Sequence, residues 1–227
     1  MIKAMRAAVK EMTPPLLYRG MVAVTHRVTR KLGPARGWGE RPATWYDDIY
    51  RSDPEYGRHY TQSRYYPLWS VVADRLVRSG AKRILDLGCG PGQFALLLAD
   101  KGITEYYGLD FSAAAIEAAR AVCPAFQFRA ADIRRQGVLE SLEYDCCLAL
   151  EFLEHVENDT EILRRLRRGS RFYATVPNFA DTAHVRHFTG VAAVEARYGG
   201  CFSQYRVDPH RANREGIMFF LIEARIR

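Results

Sequence analysis

Two glutamates and three histidines in the second half of the chain have the residue types and the spacing to do chemistry. Glu151, Glu154 and His155 follow one apolar run, and His184 and His187 follow the next. Histidine can act as a general base near neutral pH, because its ordinary pKa is about 6.5. Carboxylates and imidazoles can also ligate a divalent metal ion. We therefore predict His155, His184 and His187 as catalytic candidates, with a metal site as the alternative.

The arrangement of these residues depends on the local backbone. If residues 151–155 are helical, Glu151, Glu154 and His155 lie on one face, at positions i, i+3 and i+4. His184 and His187 are three residues apart and could share a helical face as well. For each histidine, the competing interpretation is a surface residue or one that only supports the site.

A glycine-rich segment, residues 84–94, indicates a binding site for a nucleotide-type ligand. An apolar strand runs into an acidic residue and three glycines at alternate positions, which are Asp86, Gly88, Gly90 and Gly92. Glycine lets the backbone approach a ligand closely. The segment lacks the third glycine of the dinucleotide fingerprint and the G-K-[ST] ending of a phosphate loop. Asp110 lies 20 residues past Gly90 and could accept hydrogen bonds from both hydroxyls of a ribose.

Alternating strand and helix patterns must position these residues. Predicted strands end at Asp110, at Ala130 and at Leu150, with two late strands at 201–205 and 216–225. Predicted helices cover 112–122, with Ser112 as the N-cap, and 159–168. This order predicts an α/β fold, with a Rossmann-like seven-stranded, mostly parallel sheet and helices on both faces.

The motifs resemble those of class I S-adenosylmethionine (SAM) methyltransferases, in which the glycine segment is motif I. The resemblance covers about residues 65–227. It is closest to small-molecule and glycan O-methyltransferases that carry E-x-x-E-H-V, V-P-N and H-[LV]-R-x-F-T. These motifs appear here at 151–156, 176–178 and 184–189. One departure is Arg-Arg-Gly-Ser at 167–170, where the family usually has Lys-Pro-Gly-Gly.

The resemblance implies SAM as the cofactor and a hydroxyl acceptor on a sugar, a cell-surface glycan precursor or another small molecule. It implies that Asp132 accepts from the adenine amino group, that Ile133 packs on the ring, and that Glu151 lies beside the methyl donor. The implied cofactor-binding residues are Asp86, Gly88, Gly90, Gly92, Asp110, Phe111, Asp132, Ile133 and Glu151. The alternatives are an RNA methyltransferase and a non-catalytic SAM-binding scaffold subunit.

The resemblance also bears on the metal alternative. Plant small-RNA 2′-O-methyltransferases have a two-Glu, two-His metal site, which Glu151, Glu154, His155 and His184 or His187 could reproduce. Many metal-free relatives carry the same E-x-x-E-H-V motif. We therefore expect a histidine base and no metal.

Residues 43–69 are rich in aromatic side chains, interleaved with acids and arginines. In the resembled fold, such a segment precedes the first strand and folds over the cofactor cleft as a lid. Aromatic faces suit stacking on a sugar, or a cation–π contact with the sulfonium of SAM. The alternative is that these rings only pack the segment onto the domain, which we assign to 43–227.

Residues 1–42 are expected to form a basic, helical extension and linker. Residues 1–40 hold eight basic and two acidic residues, which is +6 of the total charge of +7. Their apolar residues recur at helical spacing, and a basic amphipathic helix can lie on an anionic membrane. The alternative is that this apolar face packs on the domain or on a second subunit. The nearly neutral remainder argues against a nucleic-acid partner.

Length and composition fit one α/β domain with an extension. The longest apolar runs fall short of the ~20 residues that span a bilayer, and the N-terminus lacks the pattern of a secretory signal. The five cysteines include no C-x-x-C pair and indicate reduced thiols. We therefore expect a cytoplasmic protein that could attach to the inner face of the membrane, in an oligomeric state that the sequence leaves open.

Overall fold

The computed structural model describes residues 39–227. The predicted amphipathic helices of the extension, and the membrane contact that depends on them, lie outside the described residues. Within the described part, no helix has the length and hydropathy needed to cross a membrane.

A seven-stranded sheet forms the centre of the domain, in the order β3-β2-β1-β4-β5-β7-β6. The strands are β1 Arg83–Leu87, β2 Glu105–Asp110, β3 Gln127–Ala130, β4 Cys146–Leu150, β5 Arg171–Pro177, β6 Phe202–Arg211 and β7 Met218–Ile226. β7 is antiparallel to both of its neighbours, and the other pairs are parallel. The predicted fold class, a mostly parallel Rossmann-like sheet, is confirmed.

Helices cover both faces of the sheet. They are α1 Ala43–Ser52, α2 Tyr66–Arg78, α3 Gln93–Asp100, α4 Ala113–Val122, α5 Asp159–Arg165 and α6 Val191–Tyr198. α2, α3 and α4 pack on one face, and α5 and α6 pack on the other, so each face has its own apolar core. The buried strands supply both cores because successive side chains alternate, as Cys146 and Cys147 do in β4.

Two predicted elements have different bounds in the structure. α5 ends at Arg165 instead of residue 168, because Leu166 is extended and buried. β6 continues to Arg211 instead of residue 205, because it pairs with β7 along its whole length. The predicted N-cap is confirmed, since the Ser112 hydroxyl accepts a hydrogen bond from the Ala115 amide at 3.1 Å.

The strand order places a crevice beside the central strands. The chain moves from β1 outward through β2 to β3, and then returns to the other side of β1 as β4. The loops that follow β1 and β4 therefore leave toward opposite faces, which opens a gap at the carboxyl ends of these strands. Open α/β sheets bind ligands at such a switch point.

Candidate cofactor and acceptor site

The loop after β1 can be built only with glycine at two of its positions. Gly88 and Gly92 have φ values of 72° and 84°, which disfavour other residues. A Cβ on Gly88 would lie 2.5 Å from Phe152 Cδ2, and one on Gly92 would lie 2.9 Å from Ala119 Cα. The loop is thus packed between the segment after β4 and helix α4.

Asp110 ends β2 directly beside this loop. Its Oδ2 accepts from the Gly90 amide at 3.0 Å, and its Oδ1 accepts from the Ser112 amide at 2.8 Å. Each carboxylate oxygen can accept a second hydrogen bond. Burial raises the pKa of Asp110 to about 6. The carboxylate is therefore held rigidly at the strand end and keeps acceptor capacity for a diol.

Asp132 and Ile133, the predicted adenine contacts, follow β3. Both Asp132 oxygens accept from Arg134, at 2.8 and 2.9 Å, and these hydrogen bonds lower the pKa of Asp132. Arg134 also pairs with Glu40 in the segment before α1. Ile133 is buried in the core that includes β1 and β4. An adenine amino group would share the Asp132 oxygens with Arg134.

Asp86 lies under the loop, in the core that α2, α3 and α4 cover. It is 3% exposed, and its Oδ2 accepts from the Tyr106 hydroxyl at 2.5 Å. Burial raises the pKa of Asp86 to about 7. The structure thus gives this predicted cofactor residue a partner within the protein.

Exchanging Asp86 for asparagine should change how stability depends on pH. The pKa of Asp86 in the folded protein, about 7, exceeds the unfolded value of about 3.9. The folded state therefore binds more protons, and Asp86 makes the wild type less stable as the pH rises from 5 to 8. Between pH 5 and pH 8, the free energy of unfolding of Asp86→Asn should therefore fall by about 2–3 kcal/mol less than that of the wild type. The estimate uses about 1.4 kcal/mol per pH unit over which the two states differ by one proton.

Urea denaturation at pH 5 and pH 8 would measure this difference. Asp74→Asn, at an exposed carboxylate paired with Arg78, serves as the control and should follow the wild type. Equal pH dependence in the wild type and Asp86→Asn would contradict the elevated pKa.

Helix α1, at the start of the aromatic-rich segment, docks on the strand ends. Asp47 accepts from the Ser112 hydroxyl at 2.5 Å and from the Ala114 amide at 3.1 Å, so it caps α4 from outside. The Tyr46 ring lies 5.2 Å from the ring of Phe111, a predicted cofactor residue. The hydroxyl of Tyr50 would lie 3.6 Å from a Cβ on Gly90. The lid segment thus covers the glycine loop and the end of β2.

Glu154, His155 and His184 form a compact group, here called the Glu–His cluster. One ligand-type atom from each residue lies within 4.8 Å of the others. The His155 and His184 ring centroids are 4.8 Å apart, and His155 Nε2 lies 3.9 Å from Glu154 Oε1. Glu154 is 0% exposed. Burial lowers the pKa of His155 to about 4, so this imidazole is neutral at pH 7, and burial also lowers the pKa of His184.

The condition under which Glu151, Glu154 and His155 would share one helical face is not met. Leu153–His155 forms a single 3₁₀ turn, and Glu151 has a left-handed φ of 52°. Glu151 is not part of the Glu–His cluster, but it lies near it, because burial and then the Glu151 carboxyl raise the pKa of Glu154. The Glu151 amide donates to the Thr175 hydroxyl at 2.9 Å. Burial raises the pKa of the Glu151 carboxyl to about 8. The side chain remains at the end of β4, with Oε1 buried and without a hydrogen-bond partner among the described residues.

His184 and His187 do not share a helical face either. Both residues lie in an irregular loop after β5, where His184 is buried and His187 is exposed. Neighbouring side chains of this loop therefore point to different sides. His184 joins the cluster, and His187 lies outside it.

Arg186 fastens this loop to the turn that carries Glu154 and His155. Its guanidinium donates to the carbonyls of Leu153, Val156 and Glu157 at 2.6, 2.5 and 3.0 Å. It also pairs with Asp159 at 2.9 Å, and Asp159 is 0% exposed. The next amide toward the N-terminus, that of residue 185, donates to the Glu154 carbonyl at 2.8 Å. These contacts hold the loop against the turn.

Sequence analysis missed two residues that build the site. Tyr46 was one of many lid aromatics, yet its hydroxyl lies 3.1 Å from His155 Nδ1. Arg186 was part of the H-V-R-H-F-T motif, and we assigned it no role. The position of Arg186 between two candidate histidines, His184 and His187, could have indicated a role in the site. Only the helical fold of residues 43–52 could identify Tyr46.

Comparisons with known proteins agree with this geometry. Residues 84–171 match a family model described as a methyltransferase domain. The chain is 28% identical over 120 residues to a ubiquinone biosynthesis O-methyltransferase from Paracidovorax citrulli. The matched region is 48% of this chain and 50% of that protein. It is 38% identical over 115 residues to a trans-aconitate 2-methyltransferase from the same organism, covering 50% and 44%. The chain thus spans about half the length of the curated relatives it matches.

One similar solved structure is the magnesium protoporphyrin IX methyltransferase from Synechocystis PCC 6803 with bound SAM. Its TM-score to this chain is 0.60, at 20% identity, over 81% of this chain and 96% of that one. At this identity the likeness establishes the fold alone. Residues 84–171 therefore match a methyltransferase domain, and the fold is shared with a SAM-bound methyltransferase.

Proposed function

We propose that this chain is a class I SAM-dependent methyltransferase that transfers a methyl group from SAM to a hydroxyl of a sugar, a glycan precursor or another small molecule. The observation that carries the proposal is the position of Tyr46. Its ring lies 5.2 Å from Phe111 on the donor side, and its hydroxyl lies 3.1 Å from His155 in the Glu–His cluster. One side chain therefore bridges the cofactor residues and the polar cluster.

The residues around the glycine loop fit SAM. Glycines with positive φ let the backbone approach the cofactor, and Asp110 retains acceptor capacity for the ribose hydroxyls. Phe111 and Asp132 would border the adenine, in keeping with their positions after β2 and β3. When bound, SAM supplies an electrophilic methyl group on its sulfonium.

The protein's main contribution is to hold a nucleophile close to that methyl group and in line with it. The lid helix α1 covers the glycine loop and excludes water from it. The Glu–His cluster offers acceptor atoms at the neighbouring strand end, where the proton of an acceptor hydroxyl can be held. Arg186 fixes the relative positions of the two histidine-bearing segments.

The charge balance of the described residues and the name of one relative bear on the class of acceptor. The chain has 33 basic and 26 acidic residues, of which eight and one lie in residues 1–38. Residues 39–227 therefore hold 25 of each and are neutral in sum. A nucleic-acid acceptor would favour excess positive charge near the site. One curated relative is named an O-methyltransferase, which supports a hydroxyl acceptor over nitrogen or carbon.

Labelled SAM would test the proposed reaction against three panels of acceptors: nucleotide sugars and glycan precursors, small phenols and hydroxy acids, and short RNAs. We expect S-adenosylhomocysteine to form, and one labelled methyl group to appear on an oxygen of a compound in the first two panels. Labelling of RNA alone would favour the alternative reaction. Calorimetric binding of S-adenosylhomocysteine without transfer to any panel would favour the scaffold alternative, and absent binding would overturn the proposal.

A further inference from the structure

Glu40 fastens the chain just before the lid helix α1 to two other parts of the site. Its Oε1 accepts from the guanidinium of Arg134, in the loop after β3, and its Oε2 accepts from the Glu157 amide at 3.2 Å. The next residue, Arg41, donates twice to the Thr182 carbonyl, at 3.0 and 3.3 Å. The chain that enters α1 is therefore tied to the segments that follow β3, β4 and β5.

Arg134 joins Glu40 to Asp132, the predicted adenine contact. Its Nε and one terminal nitrogen donate to the two Asp132 oxygens, at 2.8 and 2.9 Å, and its other terminal nitrogen donates to Glu40. The planar guanidinium presents these donors in a fixed fork. Asp132 is thereby held in one orientation, and it is held ionised because these hydrogen bonds lower its pKa.

Asp132 keeps acceptor capacity for a ligand on one oxygen. Oδ1 accepts from both the Nε and the backbone amide of Arg134, which fills its two lone-pair sites. Oδ2 accepts from the guanidinium alone and keeps one site. The guanidinium also leaves one negative charge in excess, since it faces two carboxylates. An adenine amino group can therefore donate to Asp132 beside Arg134 without displacing it.

The pair formed by Arg134 and Glu40 is exposed enough to open. The two side chains are 44% and 22% exposed, and an ion pair in contact with water contributes little to stability by itself. Opening would release the start of the lid and would leave the guanidinium held by Asp132 alone. Because coupling between two sites is reciprocal, a base bound at Asp132 would in turn favour the closed pair.

We propose that Arg134 and Glu40 are positioning residues of the cofactor site, which align Asp132 with the adenine amino group only while the lid is closed. The base of the cofactor is then recognised in the closed form of the lid. This role rests on the proposed SAM site and is independent of the acceptor.

Two ligands, titrated calorimetrically into the full-length protein, test this role: S-adenosylhomocysteine and its analogue with hydrogen in place of the adenine amino group. The wild type should bind S-adenosylhomocysteine about 10-fold more tightly than the analogue, the order expected for one hydrogen bond to a charged group. Arg134→Gln and Glu40→Ala should each remove most of this preference and leave binding of the analogue nearly unchanged. The double variant should bind as Arg134→Gln does, because the two residues act through one contact.

Hydrogen exchange of the α1 amides gives a second readout. S-adenosylhomocysteine should slow this exchange in the wild type and slow it much less in Arg134→Gln and Glu40→Ala, because the closed pair transmits binding to the lid. Arg135→Gln makes the same change of charge one residue along the chain. It should match the wild type in both measurements.

Three results would overturn this role alone. Tighter binding of S-adenosylhomocysteine by Arg134→Gln would show that the guanidinium competes with the adenine. Unchanged binding in either variant would show that the pair does not position Asp132. Weaker binding with an unchanged preference for the amino group would reveal a purely structural effect. A wild type that binds no S-adenosylhomocysteine would instead remove the proposed cofactor site, and this role with it.

Discussion

Asp110→Ala is expected to bind S-adenosylhomocysteine about 2–4 kcal/mol more weakly than the wild type, which corresponds to roughly 30- to 1,000-fold. The wild-type carboxylate is fixed by the amides of Gly90 and Ser112 and can still accept from two ribose hydroxyls. Alanine removes those acceptors and also releases the Gly90 amide. Calorimetric titration at pH 8, where Asp110 is ionised, would measure the loss.

The affinity of the wild type for S-adenosylhomocysteine should depend on pH because of Asp110. Burial raises the pKa of Asp110 to about 6, so the carboxyl gains a proton as the pH falls through that value. We expect wild-type affinity to decline below pH 6 and the affinity of Asp110→Ala to lack this dependence. Asp74→Ala, at an exposed carboxylate, should match the wild type throughout. An unchanged dissociation constant in folded Asp110→Ala would refute the cofactor assignment.

Arg186→Met should lower the free energy of unfolding by about 3–5 kcal/mol, because three backbone carbonyls lose a charged donor, at roughly 1.5–3 kcal/mol for each fully buried bond of this kind. Asp159 keeps its bonds to Arg197 and Tyr198. Arg186 is the link between the His184 loop and the Leu153–His155 turn, and its side chain is 16% exposed. Its loss leaves backbone carbonyls without donors and removes one cation from Asp159. Urea denaturation would measure the change.

The same substitution should separate catalysis from cofactor binding. Methyl transfer should be lost, because the geometry of the Glu–His cluster is lost. Affinity for S-adenosylhomocysteine should be retained, because Asp110 ends β2 and the glycine loop follows β1, away from the Arg186 contacts. Arg186→Lys should recover little, since an ammonium cannot reproduce the planar set of donors. Arg206→Met, at a half-exposed pair with Glu223, should lose about 1 kcal/mol or less. A comparably small loss in Arg186→Met would show that the loop is held by other contacts.

Local sequence patterns predict the fold class, which the structure confirms, and the residues of the candidate cofactor site. Strand and helix patterns reflect which local face is apolar, and that information lies within a few residues. The glycines and Asp110 were identifiable because a close backbone approach allows only glycine, and because the end of β2 lies next to the end of β1 in a parallel sheet. The N-cap at Ser112 is equally local.

Only tertiary packing brings the residues of the Glu–His cluster together. The Glu–His cluster joins a 3₁₀ turn to an irregular loop about 30 residues later, and neither segment has a periodic pattern that predicts which side chains point inward. The possible helical faces do not form, because Glu151 adopts a left-handed conformation and the His184 loop is irregular, with Arg186 bonded to the turn. Tyr46 reaches His155 across 109 residues of sequence. Such contacts result from how whole elements pack, and local sequence carries no record of that packing.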